Sequence, residues 1–498
     1  MKFSLLNKIQ DNYAECGIIY DLSIDRAVKN IVDDKRRAEY FISVIEKPLT
    51  KIENILFRQE IYSDLKNIDG LMDSLKTLFS RYDKIKSDWQ EMKLGAVTSN
   101  GSEINSEALL EHTFASLKVT AIFPSTIASF FGTIGETLGK YPIKSEGLTA
   151  IRDWCISMSE NEALGKLVDI SQRFRYKSPE HFDFTAVFSL DRSLRLLSCD
   201  ISDITDKKTS GTFAKIFAKK KEDDGRLEIK AEVSEAGDDP LTDAQYILNE
   251  ALLRIDAALT NVTSEAYDAF FGLSSELMFY EAAVLYAKKA EEAGIPLTIP
   301  KVLSEDADRF AICDLRELVL LSNGAGNKTV PNDLSLEGDV AGLLVKGLTD
   351  SGKTVYLRAI GAAQLFCQAG LPVLASSAEM SIRRGFFSHF SSAEEEFLKG
   401  DAKGRFDQEA REIASILDRL QPYSLLLLNE TFQTTSYKEG TKSIYDILRF
   451  MPKLKTKYIF VTHLTALFGY MEKEKVILAH TSDDPDSRYR IIIDGNKN

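Results

Sequence analysis

The sequence holds few of the residues that build disulfide or zinc sites. Its five cysteines, among 498 residues, are odd in number and scattered, and no two form a CxxC pair. The pattern therefore indicates reduced thiols, as in an intracellular protein, and neither a disulfide framework nor a cysteine-ligated zinc site. The five histidines are equally dispersed, so the sequence displays no metal-binding cluster.

Long apolar runs and an excess of positive charge are also missing. The N-terminus, MKFSLLNKIQDN, has too short an apolar run for a signal peptide, and no stretch approaches the roughly 18 residues of a membrane helix. We therefore expect a cytoplasmic protein without membrane contact. The net charge of -13 argues against a protein that coats nucleic acid over its whole surface, so any phosphate contact must come from a local basic patch.

The chain is long enough for more than one domain, since single cores rarely grow past about 250–300 residues. Residues 1–320 read mostly as helix, because apolar residues recur three and four apart, as in ILFRQEIYSDL. From about Leu343, strands alternate with helices, which is typical of a doubly wound α/β domain. We predict a helical core and lever region over 1–300 and an α/β P-loop domain over 301–498.

Composition changes inside the helical region, between about residues 200 and 240. There the alternating stretch RLEIKAEV predicts a strand, within a small clamp-like insert. The run KKTSGTFAKIFAKKK (Lys207–Lys221) has six lysines between apolar residues and could follow a nucleic-acid backbone. It also fits a solvated helix with an apolar inner stripe, which the following EDD favours slightly. From Thr242 to Gly294 the pattern predicts a long, lever-like pair of helices.

A phosphate-binding motif follows the strand predicted at Leu343–Val345. It matches G-x-x-x-x-G-K-[ST] in full, and its residues are Gly347, Leu348, Thr349, Asp350, Ser351, Gly352, Lys353 and Thr354. A helix starting near Lys353 would turn its free amides and positive dipole end toward a phosphate. The lysine would neutralise the β and γ oxygens, and Thr354 would ligate magnesium. Asp350 would repel phosphate if it pointed inward, so we expect it to face solvent or a partner subunit.

Two further strands end in residues suited to nucleotide hydrolysis. SLLLLNETFQTTS predicts a buried strand that delivers Glu430 as the general base which orients the attacking water. Asn429 stands where a magnesium-facing aspartate usually belongs, and it would keep a weaker, water-mediated contact. The other interpretation is a core strand with polar residues at its end. KYIFVTHLTAL ends a strand at His463, which could contact the γ-phosphate, although a lone histidine is more often structural.

Together these segments resemble the MutS family of ABC-like ATPases. VPND (Val330–Asp333) resembles the segment that opens the family's ATPase domain, with Asn332 at the position expected near adenine. GRFDQEAREI, with Phe406 and Glu409, falls where the family has its serine-threonine-phenylalanine signature. Upstream, PLTKIENILFRQEIYSDL resembles the family's core segment, and FYEAAVLYAKKAEEAG resembles the end of its lever helix.

The resemblance implies ATP and Mg²⁺ as ligands, with Thr354 and Asn429 at the metal. It also implies a composite site in which the signature helix of one subunit completes the P-loop of another, and hence a homodimer. Arg405 could then reach the partner's γ-phosphate; otherwise it is a solvated arginine at a helix start. ATP would drive a clamp built from the lever and the insert.

The departures from the family pattern limit the expected function. Nothing before Pro48 matches the mismatch-reading domain, so we do not expect mismatch recognition. Gly404 replaces the signature serine, and Thr329 replaces the aromatic residue expected to stack on adenine. After RIIIDGNKN the relatives continue into helices that help dimerisation.

Three functions are consistent with the sequence. The first is a MutS-like, ATP-hydrolysing clamp on DNA that does not read mismatches. The second is a clamp on a ribonucleoprotein or protein complex, and the third is a scaffold that binds ATP and hydrolyses it poorly. Asn429 and Asp350 favour the third, because both weaken the usual metal and phosphate chemistry.

Overall fold

The structure of the protein is a computed structural model. The structure describes residues 2–97, 106–176, 182–190, 196–206, 218–220, 226–231, 242–391, 402–432 and 437–494. Their contacts group the chain into two compact units. The first unit comprises Met1–Phe3, Asp73–Pro142 and Thr149–Ser274, and the second comprises Ser4–Met72, Ile143–Leu148 and Ser275–Asn498.

Helices dominate the sequence up to about residue 292. Over the described residues the α-helices are, in chain order, α1 (Ile24–Ile31), α2 (Lys35–Ile45), α3 (Ile52–Asn67), α4 (Leu71–Val97), α5 (Ser106–Thr120), α6 (Phe123–Gly139), α7 (Glu146–Ser159), α8 (Glu162–Tyr176), α9 (Thr242–Asp268), α10 (Leu273–Glu292), α11 (Leu318–Ser322), α12 (Lys353–Gln368), α13 (Ala402–Arg419), α14 (Tyr437–Leu448) and α15 (Thr465–Met471).

The strands lie mostly in the C-terminal part of the chain. They are β1 (Glu15–Cys16), β2 (Phe182–Leu190), β3 (Leu196–Asp206), β4 (Ala218–Lys220), β5 (Arg226–Ala231), β6 (Lys301–Leu303), β7 (Phe310–Leu315), β8 (Asn332–Leu336), β9 (Gly342–Lys346), β10 (Ser377–Ser381), β11 (Gly385–Phe390), β12 (Leu425–Asn429), β13 (Lys457–Thr462), β14 (Val476–Thr481) and β15 (Ile491–Ile493).

Aromatic side chains from several helices, and from the turn that follows α9, pack together in the first unit. Trp154 lies with its ring centroid 4.9 Å from that of Phe131 and 5.7 Å from that of Phe270, and Phe270 also contacts Tyr82. Rings of this size bury large apolar areas and prefer such edge-to-face and tilted contacts. The helical periodicity predicted for this region is therefore explained by one shared core.

The first unit also contains an antiparallel sheet with strand order β3-β2-β5-β4. Its strand β5 confirms the strand predicted from RLEIKAEV, but the sheet begins at Phe182, before the predicted insert. Ala218–Lys220 pairs with β5 as a strand, so these residues are not part of a solvated helix. The rest of the lysine-rich run, residues 207–217 and 221, lies outside the described residues. A clamp role for this sheet stays a prediction.

Two consecutive helices occupy the segment for which a long helical pair is predicted, and their role as a lever stays a prediction. Helix α9 ends at Asp268 and helix α10 begins at Leu273. Between them lies Gly272, whose φ of +93° is a left-handed conformation that favours glycine. The 27 and 20 residues of these helices correspond to lengths of about 40 Å and 30 Å.

The second unit is built on a seven-stranded sheet of order β1-β11-β12-β13-β9-β14-β15. All neighbouring strands are parallel except the last pair, and helices connect them. A smaller sheet of order β6-β10-β7-β8 completes the unit. The predicted α/β organisation is confirmed, and the runs of buried leucine and isoleucine in β9, β12 and β13 are explained by burial on both faces of the main sheet.

Segments near the N-terminus pack with the C-terminal sheets, which differs from a division at residue 300. Strand β1 pairs with β11 at one edge of the main sheet. Arg58 is 2% exposed and donates to the Ala369 carbonyl over 3.2 Å, and Gln59 donates to the Pro300 carbonyl over 3.1 Å. Because a buried arginine needs acceptors, α3 is fixed to the sheet unit by hydrogen bonds as well as by apolar packing.

One described segment is apolar and long enough to be compared with a membrane helix. It is Glu111–Gly139, half of whose most apolar window is buried in the protein, and it is divided by the turn at Ala121–Ile122. Such burial is usual for a core segment, and the feature does not by itself indicate membrane contact. Four cysteines, Cys16, Cys155, Cys313 and Cys367, are free thiols in the structure.

Candidate nucleotide-binding site

The carboxyl ends of three neighbouring parallel strands meet at one edge of the main sheet. Pairing of β12, β13 and β9 places Asn429 beside Val461, and Val461 beside Val345. The segments that follow these strands therefore lie side by side, at the edge where open α/β sheets bind ligands. The phosphate-binding motif, Glu430 after β12 and His463 after β13 are thus brought together, as the sequence predicts.

The loop between β9 and α12 has the backbone that its glycine motif suggests. Gly352 caps α12 with a φ of +89°, and Asp350 adopts a left-handed φ of +60°. The Asp350 residue is exposed to solvent, as expected, but it also borders the cavity that contains Lys353. Gly347 has a separate reason to be glycine, because a Cβ there would lie 2.0 Å from the Thr481 hydroxyl.

Lys353 lies at the centre of the site. Only 4% of the residue is exposed, and Nζ donates to the carbonyl oxygens of Gly347 over 2.9 Å and Leu348 over 2.7 Å. The same ammonium is 3.7 Å from Glu430 Oε1 and 3.4 Å from His463 Nε2. Burial lowers the pKa of Lys353, while the nearby carboxylates of Glu430 and Asp350 oppose that decrease.

Thr354 is joined to the altered position of the second strand. Its hydroxyl donates to Asn429 Oδ1 over 2.9 Å. The two oxygen atoms predicted to serve magnesium are therefore neighbours, and both are the neutral oxygen ligands that magnesium accepts beside water and phosphate. Among the described residues no group of three or more histidine, cysteine, aspartate or glutamate side chains could hold a metal ion.

Glu430 stands on a strained turn directly after β12. Its φ is +55°, and Phe432, two residues later, has a φ of +63°. Burial raises the pKa of the Glu430 carboxyl, against the effect of the Lys353 charge. Its Oε1 is 3.2 Å from His463 Nε2, and burial followed by the Lys353 charge lowers the pKa of that imidazole. The carboxylate is thus held among groups that could share a proton or a water molecule.

These groups face a common cavity of about 660 Å³. Its wall contains the predicted site residues Thr349, Asp350, Ser351, Gly352, Lys353, Thr354, Glu430, His463 and Asn332. The other residues of the wall are Leu315, Glu317, Leu320, Ala325, Lys328, Thr329, Val330, Val355, Tyr356, Ala359 and Tyr489. Two buried oxygen atoms of this wall, Glu430 Oε2 and Ser351 Oγ, have no hydrogen-bond partner. Such atoms are rarely left unpaired in a native protein, so the cavity fits a polar ligand.

The part of the cavity expected to hold adenine differs from the family pattern. Position 329 holds a threonine, which has no ring to stack on a base. Thr329 is buried, and its carbonyl accepts a hydrogen bond from Arg316 over 2.7 Å. Asn332 uses its amide on the C-terminal segment, donating to the Tyr489 carbonyl over 3.1 Å and accepting from the Ile491 amide over 2.7 Å. Sequence reasoning did not identify Tyr489, because nothing in its local pattern marks it as part of the site.

The signature-like helix α13 contacts the turn after β12. Glu409, which is buried, accepts from the Phe432 amide over 3.0 Å and from the Ser391 hydroxyl over 2.8 Å. The Phe406 and Phe432 ring centroids are 5.4 Å apart. Gly404 and Arg405 belong to the first turns of α13, but their side chains lie outside the described residues, so the predicted role of Arg405 stays a prediction.

Comparison with known proteins supports the resemblance of the second unit to the MutS family. Residues 343–490 match the family model of MutS domain V. The chain is 31% identical over 181 residues to Endonuclease MutS2 of Streptococcus gordonii, and 30% identical over 181 residues to DNA mismatch repair protein MutS of Prochlorococcus marinus strain NATL1A. Residues 343–490 therefore belong to the MutS domain V family. A third relative, DNA mismatch repair protein MutS of Petrotoga mobilis, is 33% identical over 138 residues.

The matches to MutS-family relatives are partial on both sides. They cover 36%, 35% and 28% of this chain, and 23%, 19% and 16% of the three relatives, in the same order. The chain thus matches less than a quarter of the length of each of these relatives. The match to domain V contains every predicted site residue except Asn332.

Proposed function

We propose that this MutS-family chain binds and hydrolyses ATP at the site between Lys353, Glu430 and His463. The observation that carries the proposal is the convergence of Lys353, at the start of α12, with Glu430 and His463, which follow β12 and β13. The three side chains lie within 3.7 Å of one another, in a cavity with unpaired polar atoms. The family of domain V, to which the match belongs, has ATPase activity. ATP with Mg²⁺ is therefore the ligand class that we expect.

The residues of this chain would divide the work of hydrolysis. The loop amides and the α12 N-terminus favour an anion, and Lys353 would exchange the Gly347 and Leu348 carbonyls for phosphate oxygens. Glu430 would orient and deprotonate the attacking water, and His463 would hold the carboxylate or reach the terminal phosphate. Mg²⁺, held by Thr354 and more weakly by Asn429, would neutralise charge that develops on the phosphates.

We further infer a homodimer with composite sites. In that arrangement the N-terminus of α13, with Arg405, would complete the nucleotide site of the partner subunit. The contact of Glu409 with the turn after Glu430 supports this proposal, because it would connect a helix that touches the partner's nucleotide to the subunit's own catalytic carboxylate.

DNA is the polymer that we propose for the complete protein. Two of the relatives named above are DNA mismatch repair proteins and the third is an endonuclease. The lysine-rich run at 207–221 is the sequence feature that supports a backbone contact, and the proposal does not include mismatch recognition. The sheet β3-β2-β5-β4 would form the clamp.

ATP turnover with and without nucleic acid tests the proposal. Turnover should be detectable with Mg²⁺, lost in Lys353→Ala, and stimulated by duplex or branched DNA in a salt-sensitive manner. Reversing charge with Lys219→Glu and Lys220→Glu should remove the stimulation and preserve basal turnover. Stimulation by RNA alone would instead favour the ribonucleoprotein clamp, and lack of turnover in the wild-type protein would contradict the ATPase.

The weakly hydrolysing scaffold is the second candidate. It is favoured by Asn429, which gives the metal no charge, and by the bonds from Lys353 to its own loop that ATP must replace. Wild-type turnover equal to that of Glu430→Gln, together with tight ATP binding in both, would support the scaffold.

A further inference from the structure

We infer that Tyr489 provides the aromatic surface on which the base of the bound nucleotide stacks, and that Asn332 positions it. This inference rests on the proposed nucleotide site. It assigns base recognition to Tyr489, whereas the resemblance to the MutS family implies an aromatic residue at position 329, where the chain has threonine.

Tyr489 lies where a base could reach it. It borders the same cavity as the phosphate loop, and its ring is so close to Gly352 that a Cβ on the glycine would lie 3.0 Å from the tyrosine Cδ1. Tyr356, the other tyrosine of the wall, is 4% exposed and its hydroxyl donates to the Asp333 carbonyl. Tyr489 is 39% exposed, so its ring has a free surface.

The ring is held in place by its backbone. Tyr489 has a φ of +73°, a conformation that a tyrosine adopts only when its surroundings impose it. Asn332 provides this constraint, since its amide bonds to the backbone on both sides of Arg490. The guanidinium of Arg488 lies 4.8 Å from the ring centroid, a cation–π contact that covers part of the ring.

The same cavity has an apolar lining that suits a flat ligand. The lining includes the aliphatic side chains of Leu315, Leu320, Val330 and Ala359. A purine is a planar ring system, and stacking on an aromatic side chain accepts any base, because every base has a π face. Tyr489 would therefore contribute affinity for the nucleoside and leave the phosphates to the loop.

Binding of ATP and of inorganic tripolyphosphate, each with Mg²⁺, separates the two parts of the site. Tyr489→Ala should weaken ATP binding roughly ten- to a hundredfold and leave tripolyphosphate binding unchanged, because the latter has no base. Tyr489→Phe keeps the ring and should bind both like the wild type. Tyr470→Ala, at a tyrosine that is 57% exposed outside the cavity wall, is the matched control and should change neither.

The role of Asn332 is tested by combining variants. Asn332→Ala should cause the same selective loss of ATP affinity, and adding it to Tyr489→Ala should cause little further loss, because both act through one ring. Unchanged ATP affinity in Tyr489→Ala, or equal loss for both ligands, overturns the inference. If Lys353→Ala still abolishes binding of both ligands, the nucleotide site itself stands. A wild-type protein that binds neither ligand overturns the proposed function and this inference together.

Discussion

Thr354 and Asn429 are joined by a hydrogen bond of 2.9 Å between the threonine hydroxyl and the asparagine Oδ1. The bond connects the first turn of α12 to the end of β12, the two places from which the site would hold magnesium. A neutral amide there provides an oxygen without a charge. Because an aspartate usually stands at this position, residue 429 is the natural place to alter the affinity of the site for Mg²⁺.

Asn429→Asp should strengthen metal binding, because Mg²⁺ prefers an anionic oxygen ligand. We expect half-maximal ATP turnover at a lower Mg²⁺ concentration than in the wild type, with an equal or higher maximal rate. Asn429→Ala is the control that removes the oxygen, and it should need more Mg²⁺. A Mg²⁺ requirement that is the same in all three proteins would exclude residue 429 from the metal site.

Glu430→Gln should separate nucleotide binding from hydrolysis. The amide keeps the size of the side chain but cannot accept a proton, so we expect turnover to fall by a factor of about 10²–10⁴. ATP affinity should stay close to that of the wild type, since Lys353 and the loop are intact. Single-turnover hydrolysis and equilibrium binding measure the two effects. Turnover that is detectable in the wild type and unchanged in the variant would remove Glu430 from the role of general base.

The pH dependence of turnover follows from the burial of Glu430. Burial raises its pKa above the ordinary value of 4.5, so the inactive protonated form persists to higher pH than in an exposed glutamate. As pH falls, the rate at saturating ATP should therefore decline at a pH above the usual carboxyl range. The pKa of His463 is lowered from 6.5, so the ring is neutral near pH 7.

The His463→Gln variant tests whether Glu430 or His463 causes the decline in rate at acid pH. Because the glutamine does not titrate, the acid side of the profile should stay where it is if Glu430 causes it. Loss of the acid side in His463→Gln would assign it to the histidine instead.

Glu409 should position the turn that carries Glu430, because it binds the Phe432 amide and the Ser391 hydroxyl. Glu409→Ala should lower kcat roughly ten- to a hundredfold through misplacement of the carboxylate, with ATP affinity preserved. Glu409→Gln keeps an acceptor for the amide and should restore most of the rate.

Glu412 provides the matched control for that experiment. It lies on the same helix with a half-exposed side chain and binds His389. Glu412→Ala should leave kcat closer to the wild-type value than Glu409→Ala does. Equal losses in the two variants, or a loss of ATP affinity in Glu409→Ala, would indicate general damage to the helix.

Arg405 should act on the nucleotide of the partner subunit. Lys353→Ala and Arg405→Ala proteins should each hydrolyse ATP poorly, but mixing them should restore activity at one site of each mixed dimer. With random exchange, this amounts to about a quarter of the wild-type sites in a two-fold symmetric dimer. ATP turnover of the mixture measures this recovery. The control is a mixture of Lys353→Ala with Glu430→Gln, which should show no recovery because both variants alter the P-loop side of the site. An active Arg405→Ala protein would contradict the role.

The strands that carry the site were predictable because their sequences are locally distinctive. Four consecutive leucines in β12, and the apolar run of β13, are typical of strands buried on both faces of a sheet, and the glycine-lysine motif marks the start of α12.

Other parts of the fold depend on contacts between residues far apart in the chain, which no local pattern reveals. Strand β1 has two residues and no alternation, yet it pairs with β11 about 370 positions later. Asn332 binds the backbone at Tyr489 and Ile491, and the left-handed φ of Tyr489 is imposed by that contact. The base side of the cavity was therefore not predictable, whereas the phosphate side was.

Equilibrium binding of ATP with Mg²⁺, measured by titration calorimetry on the wild type, Lys353→Ala and Glu430→Gln, tests the central claim most directly. The account predicts one nucleotide per chain in the wild type and in Glu430→Gln, and a large loss of affinity in Lys353→Ala. A wild-type protein that does not bind ATP, or a Lys353→Ala protein that binds it equally well, would contradict the account.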